Sequence, residues 1–168
     1  MLRTVTFFCL MTLAASSTVL YASDVDLPLR KAGKWEQKTT MEEGGKPHEQ
    51  TLTICIDAEM ERNTAQASNA EHKSSCSKYE VKKDGDKVVI DATCKMNGRD
   101  VDSRTEMGGD FKNVFDVKIT STTSGIQDSR TVSIKRVIEQ QGKYVSESCG
   151  DLKAGEAMSP DGVRVMVQ

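Results

Sequence analysis

Much of what equips a chain for catalysis or nucleic-acid binding is missing from these 168 residues. There are two histidines, one tryptophan and three prolines, and aromatic residues make up 5% of the chain. No Cys-x-x-Cys pair occurs, which excludes thioredoxin-type exchange and c-type haem attachment. No Gly-x-Ser-x-Gly elbow and no phosphate-cradling glycine loop is found; Gly44-Gly45 and Gly108-Gly109 read as turns. Charge of one sign is also lacking, with 23 basic residues against 25 acidic ones. So balanced a surface leaves no electrostatic footprint for nucleic acid and no polybasic patch for anionic lipid. Of the histidines, His48 lies in a Gly/Pro loop and His72 near the end of a helical stretch, where it reads as solvent-exposed. His72 and Cys76 are four apart, a spacing that would share a helix face, but they fall at a helix-to-strand junction and Cys76 is wanted elsewhere. Asp100 and Asp102, flanked by Arg99 and Arg104, read as a solvated strand face rather than an acid/base pair. The expectation is a protein that is not an enzyme and has no cofactor and no metal.

What is present begins with the N-terminus. Arg3, an apolar run from Val5 to about Leu20 and the absence of acidic residues before Asp24 have the layout of a secretory signal peptide over residues 1–22, cleaved after Ala22 although Leu20 is larger than the residue usual two positions earlier. Thr12, Ser16, Ser17 and Thr18 interrupt the run and argue against a permanent anchor. Phe8 is too bulky to precede a lipid-modified Cys9. After cleavage no apolar run long enough to span a membrane remains, and the expected compartment is the periplasm. The rest divides into a flexible lead-in (23–33), one β domain (34–150) and a C-terminal tail (151–168).

The most informative stretch is Cys76 to Met107. Asp84-Gly85 and Asn97-Gly98 are each flanked by alternating apolar and polar residues, the strongest short-range hairpin signal. Counting outward from Asp84-Gly85 sets Val81 opposite Val88 and Tyr79 opposite Ile90. The same count from Asn97-Gly98 sets Cys94 opposite Val101, Ala92 opposite Ser103 and Val88 opposite Met107. All of these share one face. The other collects Lys78, Glu80, Lys82, Val89, Asp91, Thr93, Asp100, Asp102, Arg104 and Glu106, giving a three-stranded meander with one apolar side.

Further strands are predicted on either side: KWEQKTTM with Trp35 as core anchor, QTLTICID with Leu52, Ile54 and Ile56 inward, VFDVKITST, RTVSIKRVIE with a bulge near Arg136, and YVSESC after a turn over Gln140–Lys143. Between the second strand and the meander, Asp57 caps a weak helix whose thin stripe is Met60, Thr64 and Ala67. Only VRVMV in the tail has strand character. The fold class expected is mainly β, an up-and-down antiparallel meander of eight strands curled into a half-barrel, with one short helix.

Four cysteines follow the leader, an even number in an exported chain, and read as two disulfides. Cys76 with Cys94 would clasp the first hairpin, although the register sets Ser75 opposite Cys94 and therefore demands a bulge. Cys55 with Cys149 would be the companion. Three connectivities are open to four cysteines. On chain-entropy grounds the short loop stabilises by about 3 kcal/mol and the long one by about 5.

The runs GKWEQKTTM, TICID, CSKYEVKKDGDKVVIDATC and GDFKNVFDVKITSTTSG, with Gly33 and Trp35 near the start and the ordered cysteines, resemble an uncharacterised family of bacterial exported proteins, domain of unknown function DUF3617. The resemblance spans about Gly33 to Cys149 and implies export; it implies no activity, substrate or catalytic residue. Two functions fit. The first is a non-catalytic periplasmic module that binds a protein partner or serves the envelope. The second is a small carrier of an apolar small molecule, its curled sheet lined by Met41, Met107, Phe115, Val117 and Ile119.

Overall fold

A computed structural model describes residues 26–167; the leader predicted over residues 1–22 lies outside them. The chain folds into β1 (Gly33–Glu43), β2 (Lys46–Ile56), α1 (Ala58–Ser75), β3 (Cys76–Asp84), β4 (Lys87–Met96), β5 (Arg99–Gly109), β6 (Val114–Gln127), β7 (Arg130–Ser146), β8 (Glu156–Met158) and β9 (Arg164–Met166). All nine strands form a single antiparallel sheet in the order β3-β4-β5-β6-β7-β1-β2-β8-β9. The sheet is not closed into a barrel: β3 and β9 are its edges. It nevertheless curls, because side chains from β2 and from β5, four strand positions apart, line one cavity. None of the described helices is long and apolar enough to cross a membrane.

The turns explain the register. Asn97 and Gly98 both have positive φ, as a type I′ turn requires, and Cys94↔Val101, Ala92↔Ser103 and Val88↔Met107 pair as the count from that turn demands. At the first hairpin the expected register is corrected. Asp84 pairs with Lys87, so the turn residues are Gly85 and Asp86, with positive φ at Gly85 alone, the II′ arrangement. Val81 then faces Ile90, and Tyr79 faces Ala92 rather than Ile90. The slip moves every partner by two positions, an even number, so each side chain keeps its face. A bulge between Cys76 and Lys78 brings Cys76 opposite Cys94.

Several other expectations change. β7 is continuous from Arg130 to Ser146: Ser121 and Glu43 pair with Arg136 without a bulge, the irregularity falls near Val145, and no turn interrupts Gln140–Lys143. The reason is Gly142. It pairs with Phe115, and a Cβ there would lie 1.9 Å from that ring, so the glycine is the seat of an aromatic side chain, not a corner. The β6–β7 turn shrinks to Asp128-Ser129, both with positive φ, and the β1–β2 loop to Gly44-Gly45, which places His48 inside β2. The tail 151–168 adds β8 beside β2 and β9 beside β8, with Leu152 and Ala157 buried. Merging two expected strands and gaining these two gives nine.

Helix α1 carries the chain from β2 to β3, six strand spacings apart in the sheet order. At ~4.8 Å per spacing that is about 29 Å on a flat sheet, and 18 residues of helix rise about 27 Å. Asp57 caps it, accepting from the Glu59 and Met60 N–H groups at 2.9 Å each. Thr64 and Ala67 of the expected stripe are exposed, whereas Glu61, Ala65, Ser68, Asn69 and His72 turn inward. The helix is therefore rotated from the expected face, and its inner stripe is mostly polar. His72 is not exposed: it is half-buried, stacks on Tyr79 at 5.4 Å, and donates from Nδ1 to the Ser68 carbonyl at 2.6 Å.

The core sits at the end of the sheet where β1 begins. Trp35, Ile54, Ile56, Phe111, Phe115, Val117 and Ala157 form one cluster, with Leu52, Met107, Ile119 and Tyr144 packed against it. Trp35 has no exposure; its ring lies 5.4 Å from Phe115 and 5.5 Å from Tyr144, and its indole N–H donates to the Lys31 carbonyl at 2.7 Å. The outer face is a lattice of charges. Asp91 bonds Lys82 and Arg104, and Arg104 bonds Glu106. Val89, expected on a wet face, lies in this lattice yet is buried, paired with Lys82 and Glu106, whose apolar stems can cover it.

Candidate functional site

The inner face of the sheet is a trough. Strand pairing lays it out in rows running from the core towards the hairpin tips. The first rows hold Ile54 and Trp35, then Leu52, Gln37, Gly142 and Phe115. The next is Gln50, Thr39, Gln140, Val117 and Met107, followed by His48, Met41, Ile138, Ile119 and Thr105. Beyond these comes a polar row, Glu43, Arg136, Ser121 and Ser103, and then Ile134, Thr123 and Val101 towards the tips. The inner rows enclose a cavity of about 540 Å³.

Met107, Phe115, Val117 and Ile119 line this cavity together. Met41 is on the same face, in the row of Ile119 and Thr105, but is 36% exposed and outside the lining. Leu52 and Ile54 complete the apolar floor. One flank is polar and uncharged: Gln37, Thr39 and Gln50 from β1 and β2, Gln140 from β7 and Thr105 across the trough.

The lead-in is docked, not flexible, over its described part. Lys31 N–H donates to the Phe111 carbonyl at 2.8 Å, and Pro28 and Arg30 line the cavity. Arg30 reaches α1, where Nε and one terminal nitrogen meet the two oxygens of Glu61 at 2.8 and 2.7 Å. Its guanidinium lies 5.7 Å from the Phe115 ring centre, and its other terminal nitrogen donates to Gln37 at 3.4 Å. Glu61 is 9% exposed, so this bidentate pair, the one pair of formal charges in the lining among the described residues, is largely withdrawn from water. Neither member was foreseeable: they are 31 residues apart and belong to segments with no shared periodicity.

Phe111 is the other wall residue that sequence reasoning misses, because GGDFKN reads as a plain turn. Asp110 organises the loop. Its carboxylate accepts from the N–H groups of Lys112, Asn113 and Val114 at 2.9, 2.7 and 3.1 Å and from the Asn113 amide at 2.7 Å. These bonds, the Asn113 N–H foremost, hold the Asp110 pKa well below the usual carboxylate range. Phe111 takes φ 54°, a left-handed conformation that costs a non-glycine residue about 1 kcal/mol or more. Its buried ring, stacked 5.7 Å from Phe115, offsets that strain and closes the trough.

Two disulfides hold the frame. Cys55 joins Cys149 (S–S 2.05 Å) and Cys76 joins Cys94 (S–S 2.07 Å). Cys55 stands two residues before the α1 cap and Cys76 directly follows α1, so a disulfide brackets each end of the helix. Cystine pairs suit an oxidising compartment outside the cytosol. Because Cys76 is so engaged, His72 and Cys76 do not form a ligand pair, and among the described residues no group of three His, Cys, Asp or Glu is placed to hold a metal.

A family model described as a protein of unknown function, DUF3617, matches residues 30–149. No curated protein and no solved structure matches the chain.

Proposed function

Since the chain belongs to the DUF3617 family, whose description assigns no activity, we propose from the trough itself that this is a non-catalytic binding protein, exported to the periplasm, that carries an apolar small molecule. The observation that carries the reading is the cavity of about 540 Å³ between α1, the lead-in and the inner face, floored by Leu52, Ile54, Met107, Phe115, Val117 and Ile119. Ligand sites are concave, mostly apolar and roughly 300–1,000 Å³, with a few placed polar groups. The lining supplies amides, hydroxyls and one ion pair whose members hold each other, a set suited to binding and orientation. The leader over residues 1–22 and the two disulfides support export.

A second reading, an envelope-associated module with a protein partner, is favoured by one feature. Among the described residues, 130–135 of β7 run past the end of β1 and pair only with β6, a strand edge that an extended peptide can extend. Native mass spectrometry of the protein purified from its own periplasm tests both. A co-purifying lipid-sized mass is expected. A clean unliganded mass, with a defined protein retained through the β7 edge and lost on Thr131→Pro, replaces the carrier with the module.

A further inference from the structure

We propose that the trough selects a neutral amphiphile, a single hydrocarbon chain ending in an uncharged hydrogen-bonding head of the monoacylglycerol or fatty-alcohol type; this rests on the reading of the trough as a ligand site. The floor is apolar, and the cavity of about 540 Å³ has room for one extended chain. What the ligand's head would meet decides its chemistry. The flank over the floor is Gln37, Thr39, Gln50, Gln140 and Thr105, groups that each both donate and accept and carry no charge.

Among the described residues, the formal charges in the lining are Arg30 and Glu61, and they are matched oxygen for nitrogen in a bidentate pair. One row farther out the pattern repeats, with Arg136 Nε donating to Glu43 at 2.6 Å. A carboxylate, phosphate or ammonium head would therefore be taken from water into a half-buried site where both resident pairs are already engaged. A charge moved from water without a partner is strongly disfavoured, whereas a hydroxyl or ester exchanges its water bonds for amide bonds. Selectivity against charged lipids thus comes from self-neutralised ion pairs beside a glutamine flank.

The experiment titrates the purified protein with monoolein and with oleate, each below its aggregation threshold, following the emission of Trp35, the sole tryptophan, packed against Phe115. Gln140→Lys, which places a cation on the flank, is titrated in parallel, with Thr39→Lys as a second variant should the first not fold. Expected is at least tenfold tighter binding of monoolein than oleate by the natural protein, and a reversal of that order in the lysine variant. Oleate binding as tightly as monoolein to the natural protein overturns the neutral-head assignment and leaves the carrier reading standing. Monoolein preference that survives the lysine unchanged removes the head from this flank. Binding of neither probe removes the carrier reading and this inference with it.

Discussion

The two ends of the inner face carry the same kind of sequence and meet opposite fates. Near the start of β1, Trp35, Ile54, Phe115 and Val117 alternate with polar residues and are buried. Near the hairpin tips, Val132 and Ile134 alternate just as regularly, yet they are 39% and 41% exposed, and Met96 is 52% exposed. Strand periodicity is equal in both places. The difference is what lies across: the lead-in, the Asp110 loop and the tail strands close one end, and nothing described closes the other. Alternation fixes which face a side chain joins; covering segments fix whether that face becomes core.

Removing what closes the first end gives the sharpest contrast. Cys55→Ser with Cys149→Ser opens a loop of sequence separation 94 and is expected to cost about 4–5 kcal/mol, against about 3 for Cys76→Ser with Cys94→Ser, which spans 18 residues nearer the tips. Urea midpoints of the two variants measure this, and an equal loss would erase the asymmetry. Trp35→Ala should cost about 3–5 kcal/mol in the same assay, since a fully buried ring leaves a cavity that its neighbours cannot refill.

Gly142→Ala comes next, at about 1–3 kcal/mol, because its Cβ overlaps the Phe115 ring and must push that ring into the trough. Weaker ligand binding should accompany the loss of stability. A smaller effect is expected from acid. Asp110 has a folded pKa below its unfolded value, so its contribution is fully present above about pH 4 and disappears as pH falls through the folded value. Asp110→Asn should flatten the fall in stability with acid below about pH 4, read by thermal melts across pH. Ile126→Ser, at a tip position 83% exposed, should stay within about 0.5 kcal/mol of the parent. A loss of more than about 1 kcal/mol there would mean that something covers the open end.

How much could be read beforehand follows from range. Asn97-Gly98 is a two-residue signal acting on its immediate neighbours, and it placed Cys94 against Val101 and Val88 against Met107 correctly. Asp84-Gly85-Asp86 holds two overlapping turn pairs, and the chain uses Gly85-Asp86 instead of Asp84-Gly85, which changes the partner assignments while sparing the faces. Gly142 misled because a glycine that begins a turn and a glycine that seats a ring look alike until the opposite strand is known. The helix was legible through its cap and its formers, but not through its inward face, which rests on Glu61 and its distant partner Arg30 instead of apolar burial. The VRVMV run marked β9 in advance, but Phe111 and β8 were missed for a related reason: each is held by contacts from elsewhere in the chain, the Lys31 bond in one case and pairing with β2 in the other.

The bracketing of α1 by Cys55 and Cys76 has a mechanical meaning. A segment covalently pinned at both extremities, with hydrophilic side chains underneath, does not depend on apolar burial to stay in place: it cannot peel away from either end while both bridges hold. The Arg30–Glu61 ion pair adds a third tie, holding the first turn of the helix to the lead-in.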